Sequence, residues 1–153
     1  MSWSAWKERY PNTSVVGYRR VVENYVTDFR RQKNKFVLGV VVKDETRAYA
    51  LDDLKRQPVI NDVIASVPVV ATFHAESTAA MLFRREVNGA VLSFEFIGED
   101  RMKDTKTQSV WDMVAGKCVS GPNTGQQLEA LPATLAYVGA WMYFHPKTVV
   151  YGL

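Results

Sequence analysis

The chain has 153 residues and a formal net charge of +3, with 47% hydrophobic, 12% aromatic and 23% charged residues. That balance supports one domain with a solid core and excludes wholesale disorder. A single cysteine, Cys118, excludes an internal disulfide and any Cys-based zinc framework, and no stretch approaches the ~20 apolar residues of a membrane-spanning helix.

The first nine residues lack the charged start and apolar run of a secretion signal. The pattern predicts a short helix over residues 2–10, capped by Ser2 or Ser4 and stopped by Pro11, then an extended piece over 14–17. Residues 18–33 place Val21, Val22, Tyr25, Val26 and Phe29 at helical spacing, and read either as an amphipathic helix or as an irregular arm. A strand over 36–42 and a second over 46–50 form a hairpin across Lys43-Asp44-Glu45, followed by a helical turn over 51–56. Extended segments are expected over 58–64 and 67–73, the latter the most apolar in the chain, with Pro68 at its start where a missing N–H is tolerated.

Strands over 79–87 and 90–97 flank Asn88-Gly89, a strong hairpin signal because both residues tolerate positive φ. Residues 98–107 read as a polar loop, 109–112 and 117–120 as short strands, and 121–125 as a turn. A closing helix is expected over 135–144, ended by Pro146. The expected fold is therefore α+β and β-rich: a mostly antiparallel sheet or partly open barrel with short flanking helices at both termini. Residues 1–35 would form an N-terminal helix and basic connecting arm, and 36–153 the β-rich domain.

One phrase stands at both ends of the chain. Ala5, Trp6, Pro11, Thr13, Val15 and Gly17 recur 135 residues later as Ala140, Trp141, Pro146, Thr148, Val150 and Gly152. A spacing of 135 far exceeds a solenoid or propeller period and suits a whole domain. The opening segment thus reads as the closing helix of a second domain copy.

Several phrases together resemble the domain-of-unknown-function family 3179. They are Leu38 to Val42 followed by Thr46 to Leu51, then Val59-Ile60-Asn61-Asp62, Val69 to Phe73 with its loop, Trp111 ahead of Gly121-Pro122, and Ala140-Trp141 through Val150. The resemblance covers about residues 36–152. It implies no assigned activity, an extracytoplasmic setting, and two related halves that often share one chain. In many members the loop after the central strand reads Cys-Pro-Leu-Cys; here it is His74-Ala75-Glu76-Ser77, so thiol chemistry is not carried over. The chain resembles the cysteine-free C-terminal half.

The chemical candidates are few. His74 reads either as a metal ligand or general base oriented by Glu76, beside Ser77 and Thr78, or as a strand-end histidine capping backbone groups. With no second ligand at a recognisable spacing, the second is favoured, and no metal is expected unless at His74. Asn61-Asp62 places a carboxylate toward His74 or forms a side-chain-to-backbone turn. His145, matched by Tyr10, reads as helix-end packing, and Cys118 as a small buried hydrophobe. Trp111, Trp141, Tyr137, Tyr143 and Phe144 read as core residues before a ligand platform.

No phosphate loop, dinucleotide fingerprint or serine-hydrolase elbow occurs, so no cofactor is expected. The basic residues Arg19, Arg20, Arg30, Arg31, Lys33 and Lys35 suit a solvated connector or an anionic surface. No nucleic-acid signature accompanies them. The expected function is a non-catalytic binding or assembly module with a protein partner or self-association. The alternative is a small metal- or ligand-dependent enzyme centred on His74, Glu76 and Asp62.

Overall fold

The computed structural model describes residues 3–14 and 36–152. Helix α1 (Trp3–Arg9) is the first element. The next are strands β1 (Phe36–Val42) and β2 (Glu45–Ala50), helix α2 (Leu51–Arg56), β3 (Val59–Ile64), β4 (Val67–His74) and β5 (Ala79–Arg84). A small ribbon, β6 (Glu86–Val87) and β7 (Ala90–Val91), leads to β8 (Phe94–Gly98), β9 (Arg101–Asp104), β10 (Val110–Asp112) and β11 (Cys118–Ser120). Strands β12 (Ala130–Leu131) and β13 (Ala133–Tyr137), helix α3 (Val138–Phe144) and β14 (Val149–Val150) complete the order.

Three open four-stranded sheets carry the fold, in the orders β13-β1-β2-β14, β12-β5-β4-β3 and β11-β10-β9-β8. Their strands pair antiparallel, except that β14 runs parallel to β2. The second sheet lies in the middle and is buried on both faces. Along β4, Val67, Val69, Ala71 and Phe73 join Leu38, Val40, Tyr49 and Ile60 in a core against the first sheet. Val70 joins Phe83, Phe94, Met102 and Trp111 in a second core against the third sheet. On that same side Thr72 donates its hydroxyl to the Met113 carbonyl at 2.7 Å. Two-sided burial is why residues 67–73 are apolar apart from Thr72, and β1, with Val37 buried on one face and Leu38 and Val40 on the other, is apolar throughout for the same reason.

In β1 the inward residues are Leu38, Val40 and Val42. The outward Val37 forms, with Ala48 and Trp141, a third apolar cluster under α3. The indole of Trp141 lies flat against Gly39, where a Cβ would fall inside the ring's van der Waals shell. Only glycine admits that approach.

Several expectations are corrected. Residues 98–107 are not one loop: Arg101–Asp104 is β9, a strand whose inward residues are Met102 and Asp104. The closing helix begins at Val138, not 135, because Ala133–Tyr137 pairs with β1 through Leu135↔Leu38 and Tyr137↔Phe36. Long-range pairing there overrides local helix preference. The strands over 79–87 and 90–97 break at Arg85 and at Leu92-Ser93, where Arg85 N–H bonds the Pro68 carbonyl and Leu92 N–H bonds the Arg85 carbonyl. Tyr143 and Phe144 are not core residues but are 81% and 74% exposed. The hairpin holds, with φ of 51° at Asn88 and 75° at Gly89. The possible helix or arm over 18–33 and the cluster Arg19 to Lys35 lie outside the described residues.

Candidate functional site

The part of the repeated phrase that ends at Thr13 and at Thr148 folds twice into the same small device. In the C-terminal copy, Trp141 Nε1 donates to Thr148 Oγ1 at 3.0 Å, and that hydroxyl donates to the His145 carbonyl at 2.7 Å. The His145 ring stacks on Trp141 at 4.2 Å between centroids, and the backbone closes through His145 N–H to Trp141 O and Thr148 N–H to His145 O. In the N-terminal copy, Trp6 Nε1 donates to Thr13 Oγ1 at 3.0 Å and Tyr10 stacks on Trp6 at 4.6 Å. There too Tyr10 N–H meets Trp6 O and Thr13 N–H meets Tyr10 O. Helix, proline turn and threonine thus lock one indole in both copies.

The surroundings of the two copies differ. Trp141 is 7% exposed on its Gly39 seat, and Tyr151 N–H bonds the Ala48 carbonyl to hold the tail in place. Trp6 is 41% exposed, with Trp3 at 54% and Tyr10 at 48%, and no residue of α1 is buried. The helix borders the body across two clefts. One, of about 470 Å³, is lined by Glu8, Arg9, His74, Ser77, Asp100 and Asp112. The other, of about 480 Å³, runs between Trp6 of α1 and the following Tyr10 on one side and Ala79, Met81 and Val114 of the body on the other.

At the first cleft, β4 ends in His74, whose Nδ1 shares a 2.7 Å hydrogen bond with Ser77 Oγ across the turn. Glu76 is exposed in that turn. The acidic walls are already engaged. Arg101 pairs with Asp100 at 2.6 Å and with Asp112 at 3.0 Å, and Asp112 also accepts the Val114 and Ala115 N–H groups. Among the described residues, no group of three or more His, Cys, Asp or Glu is placed to hold a metal ion.

Asn61 and Asp62 stand elsewhere. Asp62 shares the face of β3 with Ile60 and Ile64, toward the first sheet, where it accepts the Tyr49 hydroxyl at 2.9 Å and pairs with Arg47 at 3.4 Å. Burial, and then the Asp62 charge, push the Tyr49 hydroxyl far above its ordinary range, so it remains a donor. His74 instead shares the β4 face of Val70 and Thr72. Asp62 pairs with Val69, five residues and roughly 16 Å along β4 from His74. The two side chains therefore project from opposite faces of one sheet. Asn61 binds both backbone groups of Phe94, at 2.8 and 2.9 Å, and joins the second sheet to the third as a strand would.

A polar centre that the sequence reading passed over surrounds Asp104, which is fully buried. Its carboxylate accepts Trp111 Nε1 at 3.1 Å, Thr107 Oγ1 at 2.7 Å and Thr107 N–H at 2.5 Å. Ser109 and Asn123 extend the network through Thr107 Oγ1, at 2.6 and 3.0 Å. The available signal was Asp104 three residues before Thr107, the spacing of a side-chain-capped turn, with a tryptophan nearby needing an acceptor. Cys118 is buried beside this centre and its thiol is pushed up by desolvation, as fits a packed hydrophobe. His145 stacks at the end of α3, as expected from its match with a tyrosine.

No helix among the described residues is long and apolar enough to cross a membrane. Neither a curated protein nor a solved structure matches the chain. A family model described as a protein of unknown function, DUF3179, matches residues 23–152. That span takes in all three sheets and α3, and on this basis the chain belongs to the DUF3179 family.

Proposed function

We propose that the chain is a non-catalytic binding and assembly module that holds a protein partner through α1. The observation that carries this reading is the contrast between two like devices: the Trp141 copy is sealed on a sheet, and the Trp6 copy is locked internally but half exposed. A helix of seven residues is marginal alone and gains its stability from what it packs against. The exposed Trp3 and Trp6 on this helix, and Tyr10 just beyond it, are of the residue types that dominate protein interfaces. The separation of His74 from Asp62, and the exposure of Glu76, weigh against a catalytic centre built from those three. His74 and Ser77, which line the cleft beside α1, belong in this reading to the partner-facing side, and Asn61 and Asp62 to the frame.

The test is the solution mass by light scattering and the set of co-purifying polypeptides, for the native chain and for Trp6→Ala. The expected result is a partner or self-association that the substitution removes. A monomer without any partner, unchanged by the substitution, contradicts the proposal.

A further inference from the structure

We infer that the partner of α1 is a domain of the same fold, whose counterpart of β1 presents a glycine seat like Gly39 with no helix of its own upon it. This inference rests on the assembly reading and adds the identity of the surface. Shifting α3 back by the repeat distance sets Trp3 on Val138, Trp6 on Trp141, Lys7 on Met142, and Glu8 and Arg9 on Tyr143 and Phe144. In α3, Val138, Trp141 and Met142 face the sheet, and Tyr143 and Phe144 face solvent. The same split on α1 turns two tryptophans and a lysine stem inward and sends Glu8 and Arg9 out to water. The helix is therefore amphipathic for the seat that α3 occupies. Beyond the helix, Thr13 and Val15 repeat Thr148 and Val150; in the C-terminal copy Thr148 reaches Thr46 at 3.1 Å and Val150 pairs with Ala48.

A second copy of this chain is not the natural occupant, because its Gly39 seat is filled by its own Trp141 with no space to spare. The body beneath α1 is not the seat either, since it meets the helix across clefts of about 470 and 480 Å³ and buries none of its residues. A like domain with an open seat satisfies both conditions.

The full chain supplies the probe. The double variant Trp6→Ala, Trp141→Ala lacks the indole that fills the Gly39 seat, which weakens the hold of α3 through Val138 and Met142 and lets a native α1 displace it. Mixed with native chain it is expected to form a one-to-one complex by light scattering. With Trp6→Ala as donor, the complex should weaken at least about tenfold, as expected for truncating a buried aromatic anchor. Adding Gly39→Val to the double variant should abolish the complex. Where the double variant is unfolded alone, the same comparison is read as recovery of a cooperative melt on adding native chain but not Trp6→Ala. Independent migration of the two proteins, or no recovery, overturns the inference. If native chain still associates in a Trp6-dependent way in that case, the assembly reading stands and only the sheet seat is lost.

Discussion

Asp104 is a buried carboxylate that depends on three hydrogen-bond donors. Burial works to raise its carboxyl, but hydrogen bonds from Thr107 and Trp111 outweigh burial and hold the group below the ordinary carboxylate range. The folded state therefore binds this proton less tightly than the unfolded chain. Its contribution is complete above the unfolded carboxylate pKa of about 3.9 and is lost as pH falls through the lower folded value. Denaturation followed by circular dichroism should find Asp104→Asn less stable than the native chain near neutral pH, by about 2–4 kcal/mol, because amide hydrogens then face the Trp111 and Thr107 donors. Below about pH 4 the gap should narrow. A gap that stays constant across that range contradicts the assignment. At this scale the sequence was partly legible: Asn61 and Asp62 were visible as turn-forming residues, but their true partners, Phe94, Tyr49 and Arg47, come from other strands and only the fold brings them together.

Among elements, α1 and α3 share one local structure and differ in what covers them. Trp141→Ala empties a seat formed by Gly39, Val37 and Ala48, and should cost about 3–5 kcal/mol in urea denaturation. Trp6→Ala removes an indole 41% exposed, and should cost under about 1 kcal/mol in the isolated chain. Equal costs would mean that α1 already has its seat within this chain. The repeat itself was plain in the sequence because one Trp-to-Thr hydrogen bond across seven residues, with a proline ending the helix between them, depends on local spacing alone. Strand β13 was not legible, since Leu135, Ala136 and Tyr137 suit a helix locally and become a strand only through pairing with β1. Strand β9 was hidden for a related reason: Met102 is its one apolar residue, and Asp104, its other inward residue, is polar.

Across the whole molecule, three sheets leave two helical devices on the outside, one seated on Gly39 and one half exposed. The β-rich, antiparallel architecture followed from the turns and the apolar runs, and the doubly buried β4 explains why that run shows no alternation. Which residues meet at a site did not follow, because strand parity decides it: His74 and Asp62 fall on opposite faces of the middle sheet. The account makes α1 the surface by which this family member joins a like domain. Its most direct test is a photoreactive residue at position 10, beside the Trp6 ring, activated in the native cells. The account predicts crosslinks to a second domain, on the strand aligned with residues 36–42. Crosslinks confined to Ala79, Met81 and Val114 of the same chain would contradict it.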